Sequence, residues 1–193
     1  ALMLTGFKCP HGSGRPPFIG SLTPITKLPA MIWFYKQVLP RIRKRHPHAR
    51  LELVGMTPPS VLHQADPREV VVHGIVADVR PHLAKGAVFI CPQFVGSGIR
   101  VKILTAMAAG CAIVCTAVAA EGLPVRHGHD IFITDGEQQF ADFVSALLED
   151  PALRNKVGQQ ARETVQTRFA WPRIAEQLEM HLHDAIRHRV QTA

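Results

Sequence analysis

Aromatic side chains make up only 6% of the 193 residues, and acid is short too, with 15 Asp and Glu against 22 Lys and Arg. The first shortage withholds the stacking platforms on which single-stranded nucleic acid is held. The second leaves a net charge of +7, which favours phosphates, nucleotides, nucleic acid or an acidic membrane surface as partners. There are four cysteines and no C-x-x-C pair among them. In "CAIVC", Cys111 and Cys115 would lie roughly 13 Å apart along a strand, at about 3.3 Å per residue, too far to bridge. A disulfide framework is excluded, and the cysteines read as reduced core residues of a cytoplasmic protein. Charge is missing altogether from Ile103 to Ala120, long enough to suggest a membrane span. Gly110 and the many alanines divide that stretch into a buried helix and a strand instead. No signal peptide is apparent, and Ala1 in first position reads as the start of a fragment. The histidine pairs His127/His129 and His181/His183 lack a Cys or carboxylate set to complete a site, so no metal is expected. No Ser-His-Asp or paired-carboxylate constellation supports hydrolysis.

What is present is a globular composition, 47% hydrophobic and 19% charged, on a chain long enough for one well-buried domain with an appendage. Apolar strands are expected at 17–21, ended by Gly20, and at 49–55, 69–74, 87–92, 112–116 and 130–134. Between and after them, helical spacing marks 28–46 (bent at Pro40), a short helix around "VRPHLA" with Asp78 as its cap, and 99–109. Three further helices begin near Phe140, after Asp150-Pro151, and at Trp171-Pro172. Strands alternating with helices, several apolar throughout, predict an α/β fold: a Rossmann-like, doubly wound parallel sheet with helices on both faces. Residues 1–15 read as a linker or the tail of a missing amino-terminal domain, 16–170 as the nucleotide-binding domain, and 171–193 as a carboxyl-terminal helix. The basic run Arg41, Arg43, Lys44, Arg45, His46 and His48 reads as a solvated helix end.

In such sheets ligands bind beyond the carboxyl ends of the strands, where Gly20, Gly55, Gly74 and the Gly96–Gly98 turn are expected. The stretch "FVGSGIRVKILTAMAAG", 94–110, is the most informative. Gly96, Ser97 and Gly98 suit a tight turn whose amides can approach a ligand closely. Ile99 to Ala109 reads as a helix with Ile99, Ile103, Ala106 and Met107 on its buried face, closed by a left-handed Gly110. Free N–H groups at its start, followed by Arg100 and Lys102, suit phosphate.

"GSGIRVKILTAMAAGCAIVCTAVAAEGL" resembles the carboxyl-terminal half of retaining GT-B glycosyltransferases of the glycosyl transferase group 1 kind. The likeness runs from "FIGSLTPITKLPAMIWFYKQVLPRIRKRHPHARLELVG" through "HGIVADVRPHLAKGAVFICP" to "FAWPRIAEQL", roughly residues 16–185. It implies a domain that holds a nucleoside diphosphate sugar as donor substrate and needs no further cofactor. A missing amino-terminal domain would bind the acceptor, and neither nucleic acid nor a metal would be a partner. By the resemblance, the amides of Gly96–Ile99 bind the donor diphosphate. Gly74, Ile75 and Val76 meet the nucleobase, and Glu121 and Gly122 lie near the donor. Gly20, Ser21 and Lys27 correspond to a phosphate-contacting loop. A cytoplasmic site, with peripheral contact at the inner face of the membrane, and a dimer through the last helix are compatible extensions.

Departures from the pattern are specific. The family commonly carries two glutamates separated by seven residues, the first at the donor sugar and the second on the ribose; Ser97 and Thr105 stand there in this chain. A common arginine after the first strand's glycine is Ser21. Arg100 and Lys102 are within reach to replace that cation, and Thr105 shares a helix face with Lys102. Two alternatives stay open: a non-catalytic homologue whose nucleotide site has decayed, and a basic nucleic-acid-binding module.

Overall fold

The computed structural model describes residues 18–22, 28–55 and 65–191. The expected tail at 1–15 and Lys27 lie outside the described residues. Six strands, β1 (Phe18–Leu22), β2 (Arg50–Val54), β3 (Val70–Gly74), β4 (Val88–Cys91), β5 (Ala112–Cys115) and β6 (Phe132–Ile133), form one sheet in the order β3-β2-β1-β4-β5-β6. Every pairing is parallel. The helices are α1 (Leu28–Trp33), α2 (Leu39–Arg45), α3 (Arg80–Lys85), α4 (Val101–Ala108), α5 (Ala117–Ala120), α6 (Glu137–Glu149), α7 (Pro151–Phe169) and α8 (Trp171–Gln191).

The two-residue alternation of a strand explains why the sheet is covered on both faces. Val88 and Ile90 of β4, with Ala112 and Val114 of β5, join Leu51, Leu53, Phe34, Ile42, Phe140 and Val144 in one apolar layer. Their neighbours Phe89, Cys91, Ile113 and Cys115 face the other way, into a layer with Leu83, Ile103, Met107 and Ala161. Each fully buried side chain of this size contributes about 1.5–3 kcal/mol, so β4 and β5 hold both layers to one sheet. The expected doubly wound, Rossmann-like sheet is what the chain forms.

Differences from the sequence expectation are local. The helix expected at 28–46 is interrupted ahead of Pro40. Phe34–Val38 form a π-helical turn, and Pro40 sits in the first turn of α2, where a missing N–H is tolerated. Helix α4 starts two residues later than expected, leaving Ile99 exposed in the preceding loop rather than on a buried face. Gly20 does not end β1. It lies mid-strand, in register with Glu52 and Phe89, and Ser21 is likewise within the strand. Asp78 lies one residue outside the helix cap, but its carboxylate accepts the Arg80 N–H at 2.9 Å.

Much of the basic run is neutralised rather than merely solvated. Arg41 pairs with Glu137 at 2.5 Å, Arg45 with Glu149 at 2.8 Å, and Arg43 with Glu69 at 3.4 Å. On the last helix the stripe Leu178, Leu182 and Ile186 is 55–61% exposed, far above what an apolar face shows inside a core. Among the described residues no helix is long and apolar enough to cross a membrane.

Candidate functional site

The order of the strands sets the position of the site. The order in which successive strands are added reverses between β1 and β4, and in open α/β sheets that switch point opens a crevice at the carboxyl ends. The loop 92–100 leaves β4 there. It is tied to the adjacent loop after β5: Gln93 N–H donates to Thr116 Oγ1 at 2.9 Å, and that hydroxyl donates to the Gln93 carbonyl at 2.5 Å. Gly96 and Gly98 follow with φ of +132° and +77°, a left-handed region that other residues rarely enter. A side chain at Gly96 would also meet Gln93 Nε2 at 2.7 Å.

Arg100 is the loop's organising side chain. It is only 5% exposed, and its guanidinium turns back to bind the loop. It donates to the carbonyls of Ser97 at 2.6 Å, Gly96 at 3.0 Å and Val118 at 3.2 Å, and to that of Gly98. All these partners are neutral. Among the described residues no carboxylate pairs with it, and its Nε and the Gln93 Oε1 are buried without partners. A buried cation normally carries a desolvation penalty of several kcal/mol unless a counter-charge completes it. The carbonyl dipoles offset part of that, and an anion in the loop would supply the rest. Among the described residues, the N–H groups of Gly96, Ser97, Gly98 and Ile99 donate to no internal partner either. Loop amides, the start of α4 and one buried positive charge therefore converge on a small exposed turn, an arrangement suited to an anion.

Of the other expected residues, some join this turn. Gly122, with φ of +75°, lies against Ile99: a Cβ there would be 3.9 Å from Ile99 Cγ1. Glu121 is exposed at the end of α5 beside it. Lys102 is half-buried in the first turn of α4. Thr105 is 7% exposed, and its hydroxyl donates to the Val101 carbonyl at 2.9 Å, so its proton is committed to the helix. Gly74, Ile75 and Val76 sit at the end of the edge strand β3, three strands from β4, or roughly 14 Å at about 4.8 Å per strand. Gly20 and Ser21 belong to β1 between them. Gln93, Thr116 and the Val118 carbonyl were not foreseen. Gln93, a polar residue just after the apolar strand "VFIC", was the available signal.

His129, half of a histidine pair seen in the sequence, serves a different network. Asp130 is buried, with its carboxylate taking hydrogen bonds from Thr164 Oγ1 at 2.9 Å and the Arg126 N–H at 2.8 Å, and contacting His129 Nδ1 at 2.8 Å. Burial pushes the carboxyl's pKa up. The hydrogen bonds from His129, Arg126 and Thr164 together outweigh that, and the net shift is below the ordinary 3.8.

A parallel sheet of this order, with a glycine turn at the switch point and helices on both faces, is a doubly wound, Rossmann-like domain, the fold of the glycosyltransferase structures it resembles. The family model for "Glycosyl transferases group 1" matches residues 17–150, and the chain belongs to that family. In structure it is similar to the C-terminal domain of a glycosyl transferase group 1 family protein (LpcC) from Francisella tularensis. The TM-score is 0.63 at 20% identity, covering 79% of this chain and 86% of that one. It is also similar to Anabaena HepE, solved in complex with UDP, with TM-score 0.71 at 20% identity over 86% of this chain and 48% of that one. In sequence it matches an uncharacterized 44.6 kDa protein in the cps region of Klebsiella pneumoniae, 23% identical over 136 residues. The match spans 66% of this chain and about a third, 35%, of that protein.

Proposed function

We propose that this chain is the donor-binding domain of a retaining glycosyltransferase, holding a nucleoside diphosphate sugar for transfer to an acceptor bound by a second domain. The observation that carries the proposal is the Gly96–Arg100 turn: open amides and a buried guanidinium with no carboxylate partner among the described residues, at the switch point of the sheet. The UDP complex of HepE supports the same ligand class. In this reading the base lies at Gly74–Val76 and the diphosphate at Gly96–Ile99, and the distance between the two turns suits an extended nucleoside diphosphate. The amides and Arg100 stabilise the charge that develops on the departing diphosphate, so the reading assigns no metal to that step. Transfer requires both substrates oriented across a cleft, so the chain alone should transfer sugar at a negligible rate.

Titration calorimetry with UDP, GDP and the corresponding nucleosides tests this. Diphosphates should bind more tightly than nucleosides, and thermal stabilisation should rank the bases by linkage. A second reading, a homologue with a decayed nucleotide site, draws on Ser97 and Thr105, where the family's two acidic anchors are absent and the Thr105 hydroxyl is turned into its own helix. Heat with no nucleotide of either base would favour that reading. The cytoplasmic side of a membrane is the compatible location. The exposed stripe on α8 would serve the missing domain or a second copy, which light scattering distinguishes.

A further inference from the structure

We propose that Glu52, His73 and His82 form a binding site for a divalent transition-metal ion, zinc in the first instance, beneath the turn that ends β3. One ligand atom from each of the three lies within 4.8 Å of the other two. Glu52 is a carboxylate on a central strand, 5% exposed, facing the α3 side of the sheet because Leu51 and Leu53 face the opposite layer. His73 shares its face of the sheet, two residues beyond Val71, the register partner of Glu52. Leu53 is in register with Val72, but Val54 is in register with Gly74, so His73 is the extra residue of a β-bulge. His73 Nε2 lies 2.9 Å from Glu52 Oε2. His82, on α3, lies with its ring centroid 4.5 Å from that of His73.

Two imidazoles and one carboxylate are a donor set suited to zinc, with a fourth position left for water. Tetrahedral ligands at about 2.0–2.2 Å from the metal lie roughly 3.4 Å apart, so the set closes by side-chain shifts on the order of 1 Å. The side chain of His73 is 28% exposed, which leaves an entry path. Arg50 donates to the other carboxylate oxygen, Oε1, at 2.9 Å, fixing Glu52 from outside the ligand shell as second-shell groups do. The site is independent of the donor-binding proposal and involves none of its residues.

The test is calorimetric titration of EDTA-stripped protein with zinc chloride, alongside titration of the imidazole nitrogens by NMR. The expected result is one saturable zinc per chain and a raised Tm. The NMR response should be confined to the rings of His73 and His82. The His73→Gln, His82→Gln and Glu52→Gln variants should each lose more than about tenfold in affinity, since even outer-shell losses are on the order of 10–100-fold. A His181→Gln/His183→Gln control should bind as the parent does. Absence of saturable binding, or binding that survives in the three variants and disappears in the control, overturns the proposal. Should a variant fail to fold by circular dichroism, the NMR titration of the parent decides: zinc shifts centred on any other histidines refute the site.

Discussion

At the carboxyl end of α4, Gly110 takes φ of +75°; at the amino end, Gly98 takes φ of +77°. The surroundings differ completely. Beyond Ala108, the Gly110 N–H donates to Met107 at 2.9 Å and Cys111 N–H to Ala106 at 3.0 Å, the two bonds of a Schellman closure. That turn is packed against α7, where Gly158 lies so close that a Cβ would be 3.0 Å from the Gly110 carbonyl carbon and closer still to its oxygen. Around Gly98 nothing lies within 4 Å of a would-be Cβ, and the loop amides have no internal partners among the described residues. One backbone conformation thus closes the helix onto its own core at one end and opens it to a ligand at the other. The closed end should respond to mutation in stability, the open end in nucleotide affinity.

The comparison is broken most severely at Gly158. Gly158→Ala forces a methyl into a backbone carbonyl that cannot rotate away, and a loss of about 3 kcal/mol or more is expected, at the upper end of overpacking costs. The urea midpoint measures it, and a change below ~1 kcal/mol would show that α7 can slide. At the open end, replacing Arg100 and Lys102 with alanine should weaken nucleoside-diphosphate binding by about 1–3 kcal/mol, the range for bonds to charged groups, with little change for nucleosides. Because Arg100 also binds three loop carbonyls and that of Val118 in α5, some stability should go with it. Unchanged diphosphate affinity in the calorimeter would mean the turn is only a turn.

Gly110→Ala should destabilise by roughly 1–2 kcal/mol through the left-handed backbone alone, since its Cβ would meet only ordinary contacts near 3.7 Å. Nucleotide affinity per folded molecule should stay unchanged. The smallest effect expected is in acid. The Asp130 carboxyl, which anchors α7 through Thr164, has a native pKa below 3.8. Its contribution to stability is therefore complete above the unfolded value near 3.8 and is lost as pH falls through the lower native value. Asp130→Asn should flatten the pH dependence of the unfolding midpoint below about pH 4; an undiminished slope would place acid sensitivity elsewhere.

Alternation and helical spacing were sufficient to place all six strands and every helix but the short α5 in order, because burial on two faces writes itself into local sequence. The Gly96–Gly98 turn and the Gly110 cap were legible for the same reason: positive φ is a local demand that glycine answers. Element ends were less so. Ile99 looked like a buried helix residue because its apolarity continues the helix's spacing, while Arg100, turned back on the loop carbonyls, starts the helix later. Gly20 looked terminal because glycine usually interrupts a strand, yet β2 and β4 on either side hold β1 straight through it.

The sequence by itself determined the fold class, the family and the position of the anion-suited turn, all of which depend on patterns within a few tens of residues. Only the tertiary structure decided what the polar side chains do. It paired Arg41, Arg43 and Arg45 with carboxylates from distant elements. It buried Arg100 beside the Val118 carbonyl of α5, and brought Glu52, His73 and His82 together from two strands and a helix. Such contacts are set by strand order and register, which no local pattern specifies.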